Sequence, residues 1–495
     1  MAVFFSILFI SVAYITPTVA FGPLAEYRVE VLLALLAFGT SLPALSRSRL
    51  IEAPQTYAFI GFSLAVPLSI LFGAGGWLTG AADVLYGFFP LIFCFLLTAA
   101  NFRTKRHFQW LIAAMILCSG YYIYNGLYDL QHHINPSEFL YGGEDLRRIR
   151  GLGFVHDPND LAQVLVSLIP MVFLWRARSW FVTVMLCLPP VALLVTGMYF
   201  THSRGGALAL MATLVVALRR KLGTVPAAVL AGSLFAASLA IGWSGGRDVS
   251  MEAGGDRLDA WSTGLDFIKQ HPLTGVGAGR FADFNSITAH NSIVVCAAEI
   301  GLPGFVCWVF MVFAALRGAI AVGSWTPHSE EKTQEKEAAA ATSARVVNPY
   351  LRGPAIPPQH AAFATAYAPT SALAALGTVN AASPRVGGRG PALLQGEQSA
   401  AADEAWQKQI RGMARILVCS LTGFLVAGWF ISRAFSTWLF FYCGLSFALV
   451  RMAEDAGMGP KRDSFAFMLR WSVLLSIALL LVVYALLRFR ALTGG

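Results

Sequence analysis

The sequence predicts an all-α, polytopic integral membrane protein with about 12–13 transmembrane helices. Three observations lead to this fold class. Of the 495 residues, 56% are hydrophobic and only 13% are charged, whereas soluble globular proteins average about 25% charged residues. The mean hydropathy is +0.62. Several apolar runs exceed the ~18 residues that can cross a hydrocarbon core as a helix. A soluble multidomain enzyme is therefore excluded.

Thirteen apolar stretches account for the predicted spans. They lie at about 1–22, 29–46, 57–79, 82–100, 108–127, 160–176, 179–199, 206–218, 224–243, 291–320, 412–432, 435–451 and 466–487. The first stretch lacks the basic region of a cleaved signal peptide, so it is counted as a helix. The spans form an N-terminal group within 1–127, a central group within 160–243, a single helix within 291–322 and a C-terminal group within 412–495.

Basic residues in the short loops predict the orientation of the chain. With the N-terminus inside, the clusters at 47–49, 103–106, 176–178 and 219–221 all fall on the inner side, as the positive-inside rule requires. The hydrophilic segments 128–159 and 244–290 then form periplasmic loops. The last span departs from the rule because it leaves Arg488 and Arg490 outside. Either it is an appended thirteenth helix or one of the early spans is misassigned.

The hydrophilic segment 323–411 differs in composition from the other two. A mixed-charge patch at 330–337 is followed by Ala-, Pro-, Gly- and Ser-rich sequence with almost no bulky aliphatic residues. Such a segment cannot bury enough apolar surface to order itself. It is predicted to be a disordered cytoplasmic insert.

Cysteine, histidine and charge patterns restrict the chemistry. All seven cysteines lie within apolar runs, which favours buried small hydrophobic residues over disulfides or a thiolate metal site. The histidines outside the polar motifs described below lack metal-ligand spacing with nearby carboxylates. Neither a metal nor a cofactor is therefore predicted. The net charge of +9 comes mostly from arginine. It suits an anionic lipid surface or ligand better than nucleic acid.

Three short polar motifs interrupt the apolar pattern, and the predicted topology places all of them outside. The first is His-Asp-Pro-Asn-Asp-Leu-Ala at 156–162. Asp157 is suited to cap the helix that follows, and Asp160 lies where a carboxylate stabilises unpaired N–H groups. The alternative is that Asn159 or Asp160 faces a polar cavity and holds a sugar hydroxyl. The two interpretations carry equal weight.

The second motif is Thr-His-Ser-Arg-Gly-Gly at 201–206, which forms a tight outer turn. An arginine at a helix end often only extends to the lipid headgroups. The positive-inside rule disfavours an outer arginine, however, and the two glycines allow the backbone to approach a ligand closely. Arg204 is therefore a candidate anion-binding residue, with Ser203 beside it as a candidate supporting residue. The outer run Arg147-Arg148-Ile149-Arg150 either extends this anion site or binds headgroups.

The third motif runs from His271 to Arg280 and is followed by Ala-His-Asn at 289–291. Its Gly-x-Gly-x-Gly pattern lacks the context of a dinucleotide site or a P-loop, so the glycines are predicted to shape a loop that aims Arg280. His290 begins a helix, where the dipole lowers an imidazole pKa and favours the neutral base. With two outer arginines, it is a candidate base beside an anion site. Asn291 is a candidate supporting residue. Glu299 is predicted to serve packing or support rather than to contact His290.

These motifs, in this order, resemble the O-antigen ligase and O-antigen polymerase superfamily of bacterial glycosyltransferases. The resemblance covers roughly residues 140–310, through Asp-Pro-Asn-Asp-Leu-Ala, Ser-Arg-Gly-Gly, and His-Pro-Leu-Thr-Gly-Val-Gly with Ala-His-Asn. It implies glycan transfer from an undecaprenyl diphosphate-linked donor to an acceptor hydroxyl, at the periplasmic face of the bacterial inner membrane. It further implies a metal-independent enzyme with His290 as base and with Arg204 and Arg280 on the diphosphate. Direct displacement would invert the anomeric configuration.

The acceptor is not identified by the sequence. Lipid A-core would define a ligase, which is favoured by a small margin, whereas another carrier-linked glycan would define an O-antigen or exopolysaccharide polymerase; a protein hydroxyl is a further option. A glycan or lipid transporter is an alternative from a different class. The spans carry few intramembrane charges for ion coupling and no paired broken helices at matching positions, which argues against transport.

Overall fold

The computed structural model describes residues 1–20, 28–74, 78–143, 146–245, 255–326 and 391–493. Helices dominate these residues. They are α1 (Ala2–Ile15), α2 (Pro17–Ala20), α3 (Val29–Arg47), α4 (Pro54–Phe72), α5 (Leu78–Asn101), α6 (Lys105–Gln131), α7 (Pro158–Met171), α8 (Trp180–Phe200), α9 (Arg204–Leu222), α10 (Thr224–Ala240), α11 (Gly255–Gln270), α12 (Phe281–Phe284), α13 (Ser292–Ser324), α14 (Pro391–Gly428), α15 (Thr437–Asp455) and α16 (Phe465–Thr493). Short 3₁₀ helices span Leu50–Glu52, Gly153–Val155 and Val172–Trp175.

Each predicted apolar stretch corresponds to one of these helices, and the all-α polytopic membrane fold is confirmed. Nine helices in the described ranges are long and apolar enough to cross a membrane, and two shorter ones, Ala2–Ile15 and Thr224–Ala240, are also apolar. The two remaining predicted spans correspond to α9 and α15, which are helical but carry more charged residues at their ends.

Close helix packing around α15 builds the centre of the bundle. Gly444 lies against α5, where an added Cβ would overlap the Thr98 hydroxyl. Small residues at such interfaces allow membrane helices to approach closely. Phe440 of the same helix packs against Phe62 of α4, with ring centroids 5.4 Å apart. These aromatic side chains thus join α4 and α15 in the interior of the bundle.

The contacts at the helix ends agree with an alternating, membrane-crossing path. At one end, which we call the outer end, the Tyr122 hydroxyl donates to the carbonyl of Tyr14 at 2.7 Å. At the opposite, inner end, Arg317 pairs with Asp463 at 2.8 Å. The three polar motifs lie in the segments that follow α6, α8 and α10. Each of these helices ends at the outer end of the bundle.

The last helix ends at the outer end, with the third motif. Arg490 donates to Asp259 at 2.8 Å and to the carbonyl of Gly255 at 3.2 Å, both at the start of α11. This geometry favours the first of the two alternatives for the C-terminus, an additional thirteenth helix. The ion pair also gives Arg490 a local reason to depart from the positive-inside pattern.

The hydrophilic segments are more structured than the sequence analysis expects. The segment 128–159 contains an antiparallel pair of strands, β1 (Leu140–Tyr141) and β2 (Arg148–Ile149). The segment 244–290 contains α11 and α12. Neither strands of two residues nor a helix of low hydropathy leaves a clear periodic signal.

The boundary of the predicted insert at 323–411 also differs. The helix α13 continues to Ser324, and α14 begins at Pro391. Residues 391–411 are therefore helical, in agreement with the helix-forming Ala, Glu, Gln and Arg residues over 400–411. The predicted disorder over 327–390 falls outside the described residues.

Candidate functional site

The first motif caps α7. Asp157 precedes the helix, and its Oδ1 accepts the N–H of Asn159 at 2.7 Å. Pro158 occupies the first helical position. Both features are those of a helix N-terminus, so the capping interpretation of Asp157 is confirmed.

Asn159 connects the first motif to the second. Its Oδ1 accepts the Ser203 hydroxyl at 2.8 Å and Nη2 of Arg148 at 3.2 Å. Ser203 in turn caps α9, because its hydroxyl oxygen accepts the N–H of Gly206 at 3.1 Å. These bonds occupy the amide oxygen of Asn159 and fix the turn that carries Arg204. Asn159 and Ser203 therefore act here as supporting residues.

The basic run beside the strands has structural partners. Nε of Arg148 donates to the carbonyl of Thr201 at 2.8 Å, and Arg147 and Arg150 donate to the carbonyls of Ile134 and Glu138. The Arg148 side chain is buried. Because Arg148 bonds both to Thr201 of the second motif and to Asn159 of the first, it helps to position the Arg204 turn.

Asp160 has a partner that the sequence analysis does not anticipate. Its Oδ2 forms an ion pair with Arg433, at 2.7 Å from Nε and 2.5 Å from Nη2. Asp160 is 3% exposed, and its Oδ1 is buried without a hydrogen-bond partner in the described part of the chain. Arg433 lies in the connection between α14 and α15, and its backbone N–H donates to the Ser292 hydroxyl at 3.0 Å.

The third motif places His290 directly before α13. Asn291 is fully buried, and its Oδ1 accepts the N–H groups of Ile293 at 2.9 Å and Val294 at 3.2 Å. The supporting role of Asn291 is thus that of a helix cap. His290 has a φ of 46°, an unfavourable conformation for a residue with a side chain, and one that recurs at functional sites.

Burial, one arginine and one carboxylate define the electrostatics of His290. Burial and the nearby charge of Arg257 lower the pKa of His290, and Asp157 opposes them. The pKa of Arg257 is itself lowered by burial and by the charge of Arg204, again opposed by Asp157. The predicted lowering of the His290 pKa therefore agrees with the structure, but burial and Arg257 cause it. The imidazole is held neutral, which is the form that can accept a proton.

The glycine-rich loop is held by a break in α13. Gly301 has a φ of 69° and interrupts the helix. The carbonyls of Ala298 and Glu299 near this break accept the N–H groups of Val276 and Gly277, both at 2.9 Å. Two backbone hydrogen bonds from consecutive loop residues thus attach the loop to α13.

Glu299 completes this anchoring. Its carboxylate accepts the N–H of Gly279 at 2.8 Å and the N–H of Phe281 at 3.1 Å. Both bonded residues flank Arg280. Glu299, predicted to serve packing or support, thus fixes the backbone on either side of that arginine.

Arg280 lies at the end of the loop. Its Nε donates to Asp283 at 2.9 Å, and its guanidinium lies 5.2 Å from the centroid of the Phe284 ring. Its side chain is 18% exposed. The loop therefore ends at Arg280, while the aim of this arginine toward a ligand shared with His290 stays a prediction.

Arg257 and Arg433 are residues that the sequence analysis missed. Arg257 lies on a helix of low hydropathy, and Arg433 is separated from His290 by 143 positions and by the insert. Arg204 is selected because the positive-inside rule disfavours an arginine in an outer segment. The same criterion applies to Arg257 and Arg433. Within the described residues, no group of three or more His, Cys, Asp or Glu is arranged to hold a metal ion.

The fold and this cluster define a multi-pass membrane protein with half-buried arginines near a neutral histidine at one end of the helix bundle. Residues 189–309 match the family model described as O-antigen ligase. Over these residues the chain is thus similar to the O-antigen ligase family, in agreement with the resemblance of its motifs. The match includes Arg204, Arg257, Arg280 and His290. No curated protein matches the chain.

Proposed function

We propose that this protein is a membrane glycosyltransferase that moves a glycan from undecaprenyl diphosphate to an acceptor hydroxyl at the periplasmic face. The family match supports an O-antigen ligase or polymerase type of activity. The observation that carries the mechanism is the cluster of Arg204, Arg257 and His290 around Asp157. It combines an anion site with a base.

In this mechanism His290 takes the proton of the acceptor hydroxyl. The acceptor oxygen forms a bond to the anomeric carbon while the bond from that carbon to the carrier phosphate breaks. Because His290 is held neutral, it is ready to accept the proton. Attack from the side opposite the leaving group inverts the anomeric configuration.

The arginines stabilise the leaving diphosphate. Negative charge develops on this group as its bond to the sugar breaks, and fixed cations near it stabilise that charge. Guanidinium groups match phosphate oxygens through paired N–H donors and stay charged. We assign this role to Arg204 and Arg280, as the family resemblance implies. We add Arg257 because its charge lowers the pKa of the half-buried His290. Neither a metal nor a cofactor is part of the proposal.

The supporting residues hold these groups in place. Asp157 caps α7 and balances the charge of Arg257 beside His290. Asn159 and Ser203 fix the turn that carries Arg204. Asn291 caps the helix that follows His290. Catalytic groups placed by such bonds keep the geometry that transfer needs.

Reconstitution of the purified chain in liposomes tests the proposal. A defined undecaprenyl diphosphate-linked glycan is the donor, and lipid A-core or a second carrier-linked glycan is the acceptor. We expect transfer without added metal, with release of the carrier diphosphate. Extension of the lipid A-core identifies a ligase, and extension of carrier-linked chains identifies a polymerase. Movement of intact donor across the bilayer without transfer would contradict the proposal and would favour a transporter.

A further inference from the structure

An apolar groove lies between α13, α14 and α16, next to the candidate site. Its volume is about 420 Å³, within the roughly 300–1,000 Å³ that is usual for ligand pockets. Most of its lining is aromatic or aliphatic, with Val312, Phe424 and Leu475 facing it from three helices. Gln163, Ser292 and Arg433 supply the polar lining.

Arg433 is a cationic group that neighbouring residues hold in place at this groove. Its guanidinium is held by Asp160 and lies 3.3 Å from Nδ1 of His156 through Nη2. Its backbone N–H is fixed by Ser292. The side chain remains 29% exposed, and among the described residues its Nη1 has no hydrogen-bond partner. An ion pair therefore orients this arginine without covering all of its donors.

The groove and the candidate site are continuous. Ser292, which bonds to the Arg433 backbone and lines the groove, follows His290 by two positions. Asp157 interacts electrostatically with Arg433 as well as with Arg257 and His290. A ligand that has its phosphate at Arg433 would thus lie at the groove and near the segment that carries His290.

We propose that this groove binds the hydrocarbon chain of the polyprenyl carrier and that Arg433 binds the phosphate to which this chain is attached. The inference rests on the proposed function. The apolar lining fits an isoprenoid chain, and the cation beside it fits the phosphate that follows directly on that chain. Asp160 is a positioning residue that holds Arg433 at this point.

Binding of farnesyl diphosphate to the purified full chain in detergent tests the inference, with inorganic pyrophosphate as the probe that lacks a chain. Leu475→Trp fills the groove. Leu474→Trp is the matched control, because Leu474 is the preceding residue of α16 and is 45% exposed. We expect Leu475→Trp to weaken farnesyl diphosphate binding about tenfold or more through loss of apolar burial and to leave pyrophosphate binding unchanged. Leu474→Trp should change neither.

Arg433→Gln should weaken binding of farnesyl diphosphate by about tenfold, as loss of a charge-assisted hydrogen bond does. Because this change leaves a buried carboxylate without its partner, the double variant Asp160→Asn with Arg433→Gln serves as the folded alternative. It should lose the same binding.

Unchanged farnesyl diphosphate binding in Leu475→Trp, or equal losses in both tryptophan variants, would overturn the inference. Binding of dioleoyl phosphatidylglycerol is measured in parallel. If Leu475→Trp weakened only this binding, the groove would be assigned to a membrane phospholipid and the inference would be overturned. The assay needs neither glycan nor acceptor. Intact farnesyl diphosphate binding without glycan transfer would therefore contradict the proposed function alone.

Discussion

The two ends of the helix bundle both concentrate charged residues, but they arrange them differently. At the inner end several arginines pair with carboxylates. Arg317 pairs with Asp463 at 2.8 Å, and Arg451 and Arg462 share Glu454. These pairs join α13 and α15 to the segment that leads into α16.

At the outer end Arg280, Arg433 and Arg490 also pair with carboxylates, but Arg204 and Arg257 lie near one another. The charge of Arg204 lowers the pKa of Arg257, and the charge of Arg257 lowers the pKa of His290. Bringing like charges together in a half-buried site opposes folding, and such arrangements are typical of binding and catalytic sites. The inner ion pairs thus join helices of the bundle, whereas we propose that Arg204 and Arg257, beside His290, bind an anion.

Loss of His290 should have the largest effect. We expect His290→Gln to lower the transfer rate about a hundredfold or more, since it removes the base, while donor affinity changes little. His132→Gln, at the exposed outer end of α6, is the matched control and should retain activity. Near-normal transfer by folded His290→Gln would remove His290 from the mechanism.

Replacement of Arg257 should have the next largest effect and should also change the pH profile. Arg257→Gln removes a cation from the anion site, so donor affinity should fall about tenfold. It also removes a charge that lowers the pKa of His290. The pH below which the rate falls should therefore move upward. Lys269→Gln changes an exposed cation of the same helix, which pairs with Asp266, and should alter neither property. An unmoved pH profile in Arg257→Gln would contradict the proximity of the two groups.

The outer arginines also test whether geometry or charge matters. Arg204→Lys and Arg280→Lys keep a positive charge but lose the paired donors of the guanidinium. We expect severalfold lower transfer in each variant and lower still in the alanine variants. Unaltered donor affinity in both alanine variants would favour contact with lipid headgroups instead.

Gly301→Ala should have a smaller effect that reaches the site through the backbone. Gly301 has a φ of 69°, and an added Cβ would overlap the carbonyl of Leu273. A side chain in this conformation costs roughly 1–3 kcal/mol, and the loop that carries Arg280 should shift. Gly39→Ala is the control, since an added Cβ there meets nothing within 4 Å. Thermal unfolding and transfer assays of both variants check this expectation.

Changes at the inner end should have the smallest effect. Arg317 is 39% exposed in its ion pair with Asp463, and exposed pairs contribute about 0.2–1 kcal/mol. Arg317→Gln should therefore lower stability slightly and leave the transfer rate unchanged. A large loss of transfer would show that the two ends are coupled.

Much of the fold could be predicted because lipid-facing helices leave a strong hydropathy signal. Each apolar stretch became a helix, and the three polar motifs correctly marked helix N-termini at one end. The capping roles of Asp157, Ser203 and Asn291 were also accessible, since caps depend on residues close in sequence.

The rest of the site depends on tertiary contacts. Arg433 reaches Asp160 across 273 positions, and no local pattern records such a distance. Arg257 belongs to a helix without strong periodicity, so its neighbours could not be inferred. The role of Glu299 required the break at Gly301, because the backbone of the loop bonds to the helix only where the helix is interrupted.

The ion pair between Arg490 and Asp259 also bears on how the protein can be tagged. It brings the end of α16 to the start of α11, the helix that carries Arg257. A reporter fused after Thr493 would emerge beside the candidate site, whereas one placed before Ala2 would emerge at the opposite end of the bundle. If the outer end is periplasmic, an alkaline phosphatase fusion at the C-terminus should be active, and a fluorescent protein that matures only in the cytoplasm should be dark. Because a bulky fusion there would press on α11, a cleavable linker is the prudent design for transfer assays.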